Sequence, residues 1–168
     1  LGQVVITGTK TFKRQTDSPV IVNVIDSKAL ENVQACNLAE GLKFQSGLRV
    51  ETDCQTCNYT QLRMNGLTGG YSQILINGRP IFSPLMGLYG MEQIPVNMIE
   101  RIETVRGGGS SLYGSSAIGG VVNVITKIPK ESAFELNSTW QNINLSLIHI
   151  SEPTRRTPIS YAVFCLKK

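Results

Sequence analysis

The sequence predicts an α+β domain with a small mixed sheet of about four strands, short helices and long loops. Three observations lead there. Short β-prone runs, among them Pro19-Val-Ile-Val-Asn-Val-Ile25, Leu48-Arg-Val-Glu-Thr52, Gln73-Ile-Leu-Ile-Asn77 and Val121-Val-Asn-Val-Ile-Thr126, end at glycine, proline, asparagine or aspartate on at least one side, as strands and their turns do. Helical signals are brief and confined to the stretches between strands. The chain also holds 16 glycines, six of them between Gly107 and Gly120, which calls for many turns.

Length and composition narrow the class. A chain of 168 residues suffices for one domain with a real core. Charged residues make up 17%, below the quarter or so of an ordinary soluble domain. No apolar run approaches the roughly 18 residues of a membrane helix. Leu1-Gly-Gln-Val4 shows neither the basic start nor the apolar core of a signal peptide. The chain reads as a fragment or a processed piece of a longer protein.

Taken in order, Gln3 to Thr9 is a short β-prone run, readable as a frayed edge strand, and Thr11 to Ser18 is polar and reads as a flexible link. Pro19 opens the first strand, where its missing N–H matters least. Asp26-Ser27 starts a helical turn over Lys28 to Asn32. Asn37-Leu-Ala-Glu40 is a helix start, with Asn37 as cap and Glu40 reaching back. Gly47 stops that helix.

In the next strand Leu48 and Val50 alternate with Arg49 and Glu51. Gln61 to Asn65 and Gln73 to Asn77 are further strands, with a turn over Gly66 to Gly70. Asn77-Gly78 is a strong turn signal. Arg79 to Gly90 is a long loop carrying Ile81, Phe82, Leu85, Met86, Leu88 and Tyr89, so apolar that it either packs under something or touches a ligand. Met91 to Met98 makes one or two helical turns. Ile99, Ile102 and Val105 recur every third residue, which suits neither a clean helix nor a clean strand, and predicts a helix end becoming a strand near Arg101.

The central stretch runs from Ile99 to Lys127, IERIETVRGGGSSLYGSSAIGGVVNVITK. A charged strand leads into a glycine–serine turn, and the run after it is apolar on both alternating faces except at Asn123. That is the pattern of a strand covered on both sides. This wording closely resembles the end of the plug domain of TonB-dependent outer-membrane receptors, where the segment closes the plug sheet just before the first barrel strand.

The resemblance implies a gate seated in a barrel. It makes Val4, Val5, Ile6, Thr7 and Gly8 a Ton box, offered to TonB as an added strand. It implies that loop residues Arg79, Phe82, Leu85, Met86 and Tyr89 face a nutrient chelate such as a ferric siderophore, haem or cobalamin. Arg63, Glu100, Arg101, Glu103 and Arg106 would meet the wall of the chain's own C-terminal barrel, as ion pairs weak one at a time. Implied partners are TonB with its inner-membrane energising complex, the barrel and the chelate, with no nucleic acid and no cofactor. The implied location is the bacterial outer membrane, with the N-terminus facing the periplasm. No bond in the ligand is made or broken, so the implied role is not enzymatic.

Cys54-Gln-Thr-Cys57 has three readings. A structural zinc needs two more ligands, for which few candidates remain. A redox pair usually opens a helix, whereas Asn58 to Met64 reads as strand. The third is a small disulfide between Cys54 and Cys57, which an exported protein would oxidise. The words DCQTCNYTQLRMNGL are similar to receptors from Bacteroidota-like sources, and the resemblance implies this third reading. Cys36 is left over as a buried, inert thiol.

The resemblance divides the chain into a Ton box-like segment at 1–10, the plug at 11–130, and the start of a first barrel strand at 131–144. Phe134 to Trp140 alternates apolar and polar residues, as a barrel strand does. Leu145 to Arg155 and Ile159 to Leu166 resemble the in-frame translation of a sequencing adapter and its primer, so 145–168 is set outside the fold reasoning. Arg155, Arg156, Lys167 and Lys168 against Glu152 carry three of the four net positive charges, so the basic balance says nothing about nucleic acid. The competing class is a nucleotide-binding enzyme using Gly107 to Gly120 as a phosphate loop. It lacks a GxGxxG between strand and helix, a Lys-Ser/Thr after the glycines and an acidic partner about 20 residues on.

Overall fold

The computed structural model describes residues 3–54, 59–81, 90–128, 135–141, 145–151 and 163–167. In chain order these form β1 (Val4–Val5), β2 (Lys13–Arg14), β3 (Val22–Asp26), α1 (Ser27–Asn32), α2 (Leu38–Lys43), β4 (Leu48–Cys54), β5 (Tyr59–Met64), β6 (Ser72–Ile76) and β7 (Arg79–Pro80). Residues 90–93 are helical (α3). Then come β8 (Ile99–Arg106), α4 (Ser110–Tyr113), β9 (Gly120–Thr126), β10 (Glu135–Gln141), β11 (Leu145–Ser151) and β12 (Val163–Lys167).

The α+β class is as the sequence predicts, and the central mixed sheet has five strands, in the order β3-β8-β9-β6-β7. Only β6 and β9 run parallel; the other neighbours are antiparallel. β4 and β5 pair as a separate hairpin, β1 pairs with β2, and β10, β11 and β12 form a three-stranded sheet.

β9 lies in the middle of the central sheet, and Gly120 through Ile125 are all buried, so the expected double cover is present. Its odd and even residues serve different cores. Val122 and Val124 join Ile102, Ile25, Leu30 and Leu42 on the face covered by α1, α2 and the β4–β5 hairpin. Val121 joins Val5, Val22, Leu75 and Val105 on the other face. Gly120 begins the strand at φ 146°, and a Cβ there would lie 2.6 Å from the Val105 carbonyl oxygen. Only glycine lets the two strands approach that closely.

Of the three-residue repeat in β8, the step from Ile99 to Ile102 has a plain cause, while Val105 turns to the other core. Ile99 pairs with Thr126 while Arg101 pairs with Ile125, so one extra residue sits between them. This bulge at Glu100 lets Ile99 and Ile102, three apart, face the same core. The preceding turn, Val96–Met98, is 3-10 helix and the strand starts at Ile99, two residues before the expected switch.

Other elements differ in detail. Thr11 to Ser18 is no simple link: it holds β2 and a 3-10 turn, Gln15–Asp17. β5 and β6 follow each other across the glycine turn yet lie in different sheets. β3 begins at Val22, three residues after Pro19. The Asn37 cap is as expected, with Glu40 N donating to Asn37 Oδ1 at 2.9 Å. The Glu40 carboxylate accepts from the Cys36 amide at 2.8 Å, one residue before the position a capping box would use.

Candidate functional site

On the second face of the sheet, Glu103 of β8 and Asn123 of β9 stand directly opposite each other. Both are fully buried among apolar neighbours such as Val105 and Val121. A carboxylate and an amide in such a place need internal partners. The N-terminal segment supplies them.

Glu103 Oε2 accepts from the amides of Ile6 and Thr7, each at 2.9 Å, and from the Thr7 hydroxyl at 2.7 Å. Its other oxygen accepts from Arg101 Nε at 2.9 Å. The Thr7 hydroxyl accepts in turn from Asn123 Nδ2 at 3.0 Å, and Asn123 Oδ1 accepts from the Gly78 amide at 2.9 Å. The Thr7 carbonyl accepts from the Tyr113 hydroxyl at 2.9 Å. One threonine is thus tied to β8, to β9 and to the helical turn after the glycine run.

Packing holds the same segment. Val5 is buried in the second core, which contributes about 1.5–3 kcal/mol. A Cβ on Gly8 would meet Ser18 Oγ at 2.4 Å and Val20 at 3.0 Å, so the segment lies flat against the start of β3. Toward solvent Val4 is half exposed, and among the described residues β1 pairs with the two-residue β2.

Two ionisable groups respond to this arrangement. Burial pushes the Glu103 carboxyl up, but hydrogen bonds from the Thr7 hydroxyl, the Ile6 and Thr7 amides and Arg101 outweigh it, and the net shift is down. Burial, with the nearby Glu103 charge, raises the Tyr113 phenol, so it stays a donor to Thr7.

Of the charged residues expected at a wall, Glu103 stands apart: it is buried, and its carboxylate is turned inward to the N-terminal segment. Arg101 links Glu103 to the half-exposed Glu100, at 2.9 and 2.8 Å. Arg63 pairs with Glu51 at 2.6 Å on the β4–β5 hairpin. Arg106 is exposed and donates to the Ser46 carbonyl and hydroxyl. Arg79 is exposed on β7, directly after the Asn77–Gly78 turn. Phe82, Leu85, Met86 and Tyr89 lie outside the described residues, as does Cys57; Cys54 ends β4.

Sequence reasoning missed Asn123 and Tyr113 as partners of Thr7. The available signal was polarity at Asn123, in a run otherwise apolar on both faces; Glu103 sits in a charged strand, where one more carboxylate does not stand out. The phosphate-loop alternative fits poorly. The glycine run joins two antiparallel neighbours and closes on itself, Gly107 N donating to Gly119 O at 3.0 Å, rather than leading from a strand into a parallel crossover. Among the described residues no group of three His, Cys, Asp or Glu gathers that could hold a metal ion, and no helix is long and apolar enough to cross a membrane.

The same fold is found in solved receptor structures. The FpvA pyoverdine complex of P. aeruginosa superposes with a TM-score of 0.70 at 17% identity, covering 89% of this chain and 20% of that one. The alcaligin receptor FauA of Bordetella pertussis does so at 0.66 and 19% identity, covering 88% and 25%. The sequence carries the point from fold to family. Residues 14–121 match the TonB-dependent Receptor Plug Domain family, and the chain belongs to it.

Among curated relatives, the Vitamin B12 transporter BtuB of Photobacterium profundum is 36% identical over 118 residues, covering 70% of this chain and 19% of that protein. An iron-regulated outer membrane virulence protein of Vibrio cholerae is 36% identical over 118 residues, covering 66% and 18%. The chain spans about a fifth of the length of these relatives.

Proposed function

We propose that this chain is the gate of a TonB-dependent outer-membrane receptor for energy-coupled uptake of a nutrient chelate. The observation that carries the reading is the N-terminal segment: a short strand paired with the two-residue β2 and held to the domain through Thr7 and Glu103. A partner that adds its own strand to Val4–Gly8 gains the Ile6 and Thr7 amides once they leave Glu103. Ligand binding shifts the population of the segment from docked to free, and TonB then pulls on it. Relatives named for vitamin B12 and for iron regulation favour a cobalamin or a ferric chelate over other nutrients.

Residues 11–130 are the plug and 131–144 lead into the barrel. Phe12, Ile21 and Phe44 are 76%, 83% and 68% exposed, apolar surface suited to a barrel wall. Arg63, Glu100, Arg101 and Arg106 make polar contacts to the same wall, Arg79 and the loop after it meet the chelate, and Cys54 and Cys57 form a disulfide. Residues 145–168 are adapter-derived, which the native coding sequence beyond Asn144 tests. Capture of the chain by a TonB C-terminal domain tests the function. Loss of capture when Val4–Gly8 is deleted supports it; capture that survives the deletion, or no capture at all, contradicts it.

A further inference from the structure

The hydrogen bonds at Thr7 run in one direction. The Gly78 amide can only donate, so Asn123 must present Oδ1 to it, at 2.9 Å. That fixes Asn123 Nδ2 toward the Thr7 hydroxyl, at 3.0 Å, and the hydroxyl proton toward Glu103 Oε2, at 2.7 Å. Three donors follow one another from the β6–β7 turn to a buried carboxylate, each polarising the next. Gly78 sits at φ 79° in a turn with Asn77 at φ 50°. Asn77 is held to β9 as well, its amide donating to the Val124 carbonyl at 2.9 Å and its Oδ1 accepting from the Thr126 amide at 3.0 Å. The next residues, Arg79–Pro80, form β7.

From this geometry we infer that Asn123 is a positioning residue that couples the β6–β7 turn to the docked state of the N-terminal segment. When Thr7 leaves, Asn123 Nδ2 loses its acceptor while still buried on β9, and a side chain that turns to find another gives up the Oδ1 it presents to Gly78. The turn is loosened. By thermodynamic reciprocity, a ligand that rearranges the turn loosens Thr7. The coupling deepens the proposed function, because it rests on that reading for the statement that the loop after Arg79 meets the chelate.

Amide hydrogen exchange of the chain reads the coupling without ligand or TonB. Thr7→Val keeps the shape and removes the hydroxyl. It is expected to speed exchange at Gly78 by up to about tenfold, the scale of one hydrogen bond, while Leu62 on β5 is unchanged. Thr7→Ser, which restores the hydroxyl, is expected to return Gly78 to the native rate. Tyr113→Phe, which removes one tie on Thr7 without touching Asn123, is expected to speed Gly78 too, by less than Thr7→Val. Gly78 unchanged in Thr7→Val, no rescue by Thr7→Ser, or equal acceleration at Leu62 would each overturn the inference, the last because it marks general destabilisation. A chain that shows the coupling but is not captured by TonB leaves the inference standing and sinks the function instead.

Discussion

The Thr7 hydroxyl donates to the Glu103 carboxylate over 2.7 Å, between residues 96 apart in the chain and both buried. This contact joins the most N-terminal strand to the middle of the central sheet. Removing the acceptor charge leaves two backbone amides, a hydroxyl and Arg101 with a weaker partner. Glu103→Gln is expected to lower stability by about 1–3 kcal/mol, measured by urea unfolding. A change under about 0.5 kcal/mol, the usual effect of a surface substitution, would show that the carboxylate is not what holds the segment.

Acid should free the segment. The folded-state pKa of Glu103 is lowered, so its contribution is fully present above the unfolded value of about 4.3 and is lost as pH falls through the folded value. A fluorophore at Val4 is expected to report a docked segment near neutrality and a free one only well into acid. Tyr113 works at the other limit: its pKa is raised, so its contribution holds below about 10 and fades as pH rises through the folded value. Release between pH 5 and 8 would contradict both assignments.

Gly120→Ala is expected to be among the most damaging small substitutions, at roughly 2–4 kcal/mol, since it combines a strained φ with overpacking. The added methyl would press on the Val105 carbonyl and on Met64. Gly70 is the control: a Cβ there would meet nothing within 4 Å, and its φ is not positive. Gly70→Ala should be near neutral in thermal unfolding. Equal effects at the two sites would remove the close-approach argument for β9.

Asn37→Ala removes the cap of α2, leaving the Glu40 amide without its 2.9 Å acceptor. The expected cost is about 0.5–2 kcal/mol, seen as a lower Tm. Asn37→Asp or Asn37→Ser should recover most of it, and a failure of both to do so would mean the position matters for another reason.

Much of this was legible in the residues, because local chemistry decides it. The Asn37 cap, the Asn77–Gly78 turn and the double cover of Val121 to Ile125 each depend on neighbours in sequence. The bulge at Glu100 was visible only as a misfit, the three-residue step from Ile99 to Ile102. What the sequence does not carry is register between distant strands. Nothing near Thr7 announces Glu103, Tyr113 or Asn123 as its partners, and nothing in the glycine turn at 66–70 says that β5 and β6 belong to different sheets. These follow from topology, and Asn123, the polar exception in an apolar strand, was the one trace they left.

The central claim is that the N-terminal segment binds its partner only when it leaves Glu103. The affinity of a TonB C-terminal domain for the native chain and for Glu103→Gln tests this most directly, because a mostly docked segment lowers apparent affinity by the fraction that is free. Tighter binding to Glu103→Gln, by about tenfold for a contact of about 1.4 kcal/mol, is the result the account predicts. Equal or weaker binding to Glu103→Gln, with the variant still folded, would contradict it.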